Sequence, residues 1–215
     1  MLDKKFREQI KQESETRILQ QGWGISAWMA PMGDPDIRDV EEIKNRLSVL
    51  NAQSYLVHDL SVKQVGQWLK VRNKLNHLSR NEILLLRRVQ KYGISSFELN
   101  QLHGCFDCIW TLLWLFCKVD DLPANKPPDD VRDLLPDLTK KDKNTLIEQL
   151  DQMRPIGDIY AMLDFYYRLH WFCVEQTKQG RKTGFPPELR VYQRRKTLEW
   201  VYNKACDWDN MLTVL

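Results

Sequence analysis

Apolar positions along the chain recur with the period of an α-helix. No run alternates apolar and polar residues through β-branched positions, which predicts an all-α fold without strands. Phe6, Ile10 and Ile18 share a face of a charged first segment that Gly22 stops. Residues 23–37 hold Trp23, Gly24, Trp28, Pro31, Gly33 and Pro35, the composition of an extended arm whose tryptophans need a groove. Val40, Ile43, Leu47 and Leu50 form a stripe behind Asp39, which with Glu42 has the spacing of a capping box. Ser61 with Gln64, Ser79 with Glu82 and Ser95 with Glu98 repeat that spacing, each ahead of an apolar run, and Gly93 stops the helix opened by Ser79.

The helix over about 97–118 is apolar on nearly all sides beyond Phe106 and is expected to be the buried centre of the fold. Pro123, Pro127 and Pro128 make 120–130 a loop, and 144–153 reads as a short helix. Pro155 opens a long helix over about 156–179, and a last helix runs from Glu188 to about Cys206 before the tail. The expectation is about eight helices in a single globular domain around 97–118 and 156–179. Residues 1–37 form an N-terminal helix and Trp-containing arm, and 38–215 an all-helical domain. The proline-rich stretch is the place where a boundary would fall.

Composition narrows the partners more than the fold. Hydrophobic residues are 43% and charged residues 28% of 215, ordinary for a globular chain. Lys and Arg number 32 against 29 Asp and Glu, so 32 − 29 leaves +3, too little for a uniform field that steers nucleic acid or anionic membrane. The apolar run Ile109–Cys117 is far below the ~20 residues of a membrane span. Residues 1–20 lack the apolar core of a signal peptide, and five cysteines is an odd count; both predict free thiols in a reducing cytoplasm.

Four constellations could carry chemistry. His103, Cys105 and Cys108 suggest a zinc or dithiol site, but no second Cys pair or paired His completes one, so core packing is the expected role and no metal is expected. Asp164 and Arg168 stand one helical turn apart and can pair, with Tyr166, Tyr167, His170 and Trp171 on neighbouring faces. There His170 could serve as acid or base and the arginine could hold an anion; the alternative is a satisfied histidine and an ion pair tying helices together. Gln193-Arg194-Arg195-Lys196 and Arg87-Arg88 are expected to be solvated helix faces rather than phosphate sites. Trp208 is expected to dock on the domain, with Asp209 free to cap, pair or line a cleft. No P-loop, dinucleotide, nucleophile-elbow or zincin motif is present, so no cofactor is expected.

Several segments together resemble the bacterial family catalogued as domain of unknown function 4272. They are Ile109-Trp110-Thr111-Leu112-Leu113-Trp114, Asp121-Leu122-Pro123, Tyr167-Arg168-Leu169-His170-Trp171, Arg194 with Leu198 and Trp200, and Trp208-Asp209. Upstream, Arg38, Glu41-Glu42-Ile43, Arg46 and Leu50-Asn51-Ala52 are similar to that family's opening helix, so the resemblance runs over roughly 38–215. It implies a stand-alone, mostly helical, cytoplasmic bacterial protein and carries no established activity. The family usually shows Trp-Arg-x-Glu where this chain reads Gly104, Cys105, Phe106 and Asp107. Its Glu-Arg-His is similar to Gln193, Arg194 and Arg195 here, and its terminal Asp-Thr reads Val214-Leu215. An active site built from those groups would have lost several members.

The reading is therefore a non-catalytic module that binds another protein, of which an immunity or antitoxin-like partner is the concrete version. The rival is an enzyme or small anionic-ligand binder. In it Asp164, Arg168, His170, Asp209 and Arg194 converge on one cleft, with Tyr167, Trp171 and Trp208 as further contact candidates. Membrane binding is not expected, and nucleic-acid binding ranks last.

Overall fold

The computed structural model describes residues 2–57, 60–140, 146–181 and 184–210. It is all-α: seven α-helices and two short 3-10 turns among the described residues, with no strand longer than an isolated bridge between Asp36 and Asn203. Backbone contacts gather the chain into two compact units. One is Met1–Arg38, Pro123–Pro127 and Arg154–Leu215; the other is Asp39–Leu122 and Pro128–Met153. The proline-rich loop supplies one of the crossings.

The first unit holds α1 (Lys4–Gln20), α6 (Ile156–Lys178) and α7 (Glu188–Tyr202), with α6 packed on both α1 and α7. α1 is a surface helix that buries Ile10, Ser14 and Ile18 and ends at Gly22, where φ of 75° suits glycine. The arm that follows is anchored by Trp23, which stacks against Phe172 and donates its indole N–H to the Gly184 carbonyl at 3.1 Å. Trp28 departs from the expectation: it lies in no groove and is 65% exposed. α7 stops four residues short of Cys206. At Asn203 the backbone turns extended, and Asp36 takes up its neighbours, its N–H donating to Tyr202 O at 3.0 Å and its carbonyl accepting from Lys204 N at 2.8 Å. The arm thus competes successfully with one more helical turn.

The second unit holds α2 (Val40–Ser54), α3 (Val62–Val71), α4 (Arg80–Tyr92) and α5 (Ser96–Leu115). The capping boxes at Ser61/Gln64, Ser79/Glu82 and Ser95/Glu98 all form. Asp39 is the N-cap of α2 but makes no side-chain cap bond, so that box does not. Val49, Ala52, Val65, Leu69, Leu85, Leu86, Val89 and Leu102 make a contiguous core. α5 is buried around its circumference from Cys108 to Leu115, as the apolar run requires. It ends three residues before the expected 118, because Cys117 turns left-handed (φ 57°) and Lys118 N–H reaches back to Leu113 O at 2.9 Å. The short helix expected over 144–153 is not formed in its described part: 146–149 is a turn, and the pre-proline Arg154 disfavours continuation. Its first residues, 144–145, lie outside the described residues.

Glu82 does two things in this unit. One carboxylate oxygen accepts the Ser79 N–H of the capping box at 2.7 Å, and both oxygens of the same carboxylate lie against Nη1 of buried Arg46, at 2.7 and 2.8 Å. Arg46 also donates to the His77 carbonyl at 3.0 Å, which fixes the turn ahead of α4. Ser79→Ala is expected to cost about 1 kcal/mol. Glu82→Ala should cost about 3–5 kcal/mol, because it takes the carboxylate from a buried guanidinium. Urea unfolding of the two variants checks the order.

Candidate functional site

α6 carries two buried polar faces, each made by residues four apart. Asp164 and Arg168 form the first. Both are buried, and Arg168 makes a bidentate pair with Asp164 at 2.8 and 3.0 Å. Its remaining N–H groups donate to Glu15 on α1 at 3.1 Å and to the arm carbonyls of Met29 at 3.1 Å and Ala30 at 3.4 Å. A guanidinium has five N–H donors, and all five are engaged. The pair therefore ties α1 and the arm to α6. Nearby Tyr160 is buried, and burial, with the Asp164 charge beside it, pushes its phenol up to about 12.

Tyr166 and His170 form the second face, toward α7. Arg194 donates to Tyr166 Oη at 3.0 Å and to the carbonyls of Pro123 at 2.7 Å and Lys126 at 2.9 Å. Arg195 meets Nδ1 of His170 at 2.9 Å and pairs with Glu199 at 2.9 Å, and its guanidinium lies 4.7 Å from the centre of the Tyr167 ring. Arginine can only donate, so Nδ1 accepts and the ring proton sits on Nε2. Burial, reinforced by the Arg195 charge, holds the His170 imidazole down to about 4. It is a weak base at neutral pH, and the one acceptor lone pair of its neutral ring is already used by Arg195. Burial raises the Glu199 carboxyl, opposed by Arg195.

The basic run of α7 is thus not a solvated face. Arg194 is 0% exposed and Arg195 2%, because α6 and the 123–127 loop supply acceptors that the local sequence does not contain. Arg87 and Arg88 are exposed as expected. Trp208 is buried edge-on against Trp200 at 5.4 Å, with Lys196 Nζ 4.3 Å from its ring centre. Asp209 is half-buried, its N–H bonded to the Asp207 carboxylate at 2.7 Å, and Trp171 is half-buried. Val214 and Leu215 lie outside the described residues. Cys105 and Cys108 are buried free thiols, the first donating weakly to Gln53 Oε1 at 3.7 Å. Among the described residues no three His, Cys, Asp or Glu side chains cluster as metal ligands.

The groups proposed for one cleft are instead distributed. Asp164 and Arg168 face α1 and the arm, Arg194 faces Tyr166 and the loop, and His170 faces Arg195. Sequence reasoning missed Arg195, Glu199 and Glu15 as members of these assemblies. The spacing of Arg195 and Glu199, one turn apart, was the available signal for one of them. Arg38 belongs with them. It donates to the carbonyls of Trp200 at 2.9 Å, Asn203 at 3.3 Å and Lys204 at 3.0 Å, with its guanidinium 4.2 Å from the centre of the Trp200 ring.

These features define an all-α protein whose buried arginines fasten loops and helix ends to a helical frame. The chain belongs to the family described as Domain of unknown function (DUF4272), whose model matches residues 10–211. That match takes in most of α1 and the arm, beyond the resemblance over roughly 38–215. No curated protein and no solved structure matches the chain. Among the described residues no helix is long and apolar enough to cross a membrane.

Two outcomes follow from this geometry. Arg168→Ala should cost about 3–5 kcal/mol in chemical unfolding, since it strands a buried carboxylate. The free imidazole titrates near 6.5 and the folded one near 4, so between those values the unfolded chain binds a proton that the folded chain does not. His170 therefore removes stability as pH falls from about 6.5 toward 4, and no more below. His170→Gln, which keeps an acceptor for Arg195, should show a shallower loss of Tm over that interval; an identical acid profile would contradict the assignment.

Proposed function

We propose that the chain is a non-catalytic binding module of the bacterial cytoplasm that acts by contact with another protein, an immunity or antitoxin-like role being its concrete form. One observation supports this reading most: the side chains best suited to chemistry are consumed internally. Arg168 uses every N–H on Asp164, Glu15 and two carbonyls, and His170 accepts from Arg195 with its basicity suppressed. A general base needs a free lone pair within reach of a proton and a pKa near the working pH. An anion-holding arginine needs donors to spare. Neither condition is met on α6, which weakens the rival reading of an enzyme or small anionic-ligand binder. What the frame leaves outward is surface, and Trp, Tyr and Arg are the residues that concentrate binding energy at protein interfaces.

Native mass spectrometry of the chain purified gently from its own host tests the reading. A stoichiometric complex with a second polypeptide is expected. A co-purifying small molecule, with no second chain, would contradict it.

A further inference from the structure

We propose that the outward face of α4 and the corner leading into α5 form the docking surface, and that its occupant is an acidic segment of the partner protein carrying apolar side chains. This rests on the binding reading above and names the place and chemistry of the contact.

The face is built by helical spacing. Leu85, Leu86 and Val89 turn inward and are buried. Leu84, Arg87 and Lys91 fall three, four and seven apart on the opposite side, with Arg80 one turn earlier. Gly93, at φ 79°, turns the chain after α4, and Arg88 lies 3.8 Å from Glu98, which sets the first turn of α5 beside this face. Its apolar members are well exposed: Leu84 by 43%, Tyr92 by 74% and Phe97 by 58%. Cations and rings are interleaved, since the Arg88 guanidinium stands 5.9 Å from the centre of the Phe97 ring and Lys91 Nζ 4.8 Å from that of Tyr92.

The charge here is one-sided. The acids of the stretch are Glu82, buried against Arg46, and Glu98, buried and bonded to Ser95 with Arg88 at 3.8 Å. Arg80, Arg87 and Lys91 make no ion pair among the described residues. Three such charges stand on one short face of a chain whose net charge is +3. Charge complementarity therefore selects carboxylates. The aliphatic Leu84 at the centre stacks on no base, which disfavours nucleic acid. On the outward side of α4 Leu84 stands between Arg80, Arg87 and Lys91, short of the continuous apolar face that an interfacial helix inserts into a bilayer. Exposed aromatics within a cationic rim fit an apolar anchor flanked by Glu or Asp.

The test uses the full chain as bait in host lysate with a carbodiimide, which joins an amine to a neighbouring carboxylate. A cross-link from Lys91 to Asp or Glu in an acidic, apolar-bearing partner segment is expected. Without cross-linker, Arg87→Glu with Lys91→Glu, and separately Leu84→Ser with Phe97→Ser, should each lower recovery of that partner at least ten-fold while the melting temperature stays that of the parent. Undiminished recovery on both variants would overturn the surface and leave the binding reading standing; no protein partner on the parent chain would overturn both. Retention on RNA or on phosphatidylserine vesicles, lost in the same variants, would replace the acidic segment by that partner.

Discussion

A buried guanidinium loses stability with each donor it leaves unmet, and the need of such groups for acceptors organises the chain. Arg168 meets it by drawing a carboxylate from its own helix, another from α1 and two carbonyls from the arm, so the arm's path follows from where those carbonyls must sit. Arg38 meets it on the carbonyls beyond α7, which is where that helix ends and the Asp36–Asn203 bridge begins. Arg194 places its terminal nitrogens on Tyr166 and the 123–127 loop, and Arg46, in the other unit, places its own on Glu82 and the His77 carbonyl. Irregular backbone is held in each case by a fork of donors. A lysine, with a single rotatable head, could not hold several carbonyls in one plane.

The arginines that carry the family resemblance are these same fasteners. Arg38, Arg46, Arg168 and Arg194 are each at most 8% exposed. Within the resemblance, the stretch Tyr167 to Trp171 supplies one fastening residue, Arg168, and the acceptor for another, His170. The side chains of that motif bond to one another and to neighbouring backbone inside the fold. On the proposed reading recognition falls to the outward side chains, and α4 with the following corner carries exposed cations and aromatics.

Local signals were legible where the chemistry is local. The serine-led capping boxes each opened a helix, and the apolar run of α5 read correctly as buried, because cap and periodicity are written within a few residues. Asp39 failed as a capping box despite the right spacing, since spacing permits the reciprocal bonds without compelling them. Arg194 and Arg195 read as solvated because all of their acceptors but Glu199 lie far away in sequence, on Tyr166, His170 and the Pro123 and Lys126 carbonyls. The pairing of Asp164 with Arg168 was readable at one helical turn, but the role of Glu15 was not, being separated by most of the chain. The end of α7 was lost for the same reason: only the arm, arriving from the N-terminal side, explains why Asn203 leaves the helix.

The central claim is that the polar core fastens and does not react or bind. It is tested most directly by folded variants of that core. Arg168→Lys and His170→Gln would be purified, shown by circular dichroism to melt above the working temperature, and used beside the parent chain to recover its protein partner. Equal recovery by all three is the predicted result. A folded variant that loses the partner would place the functional site on α6 after all.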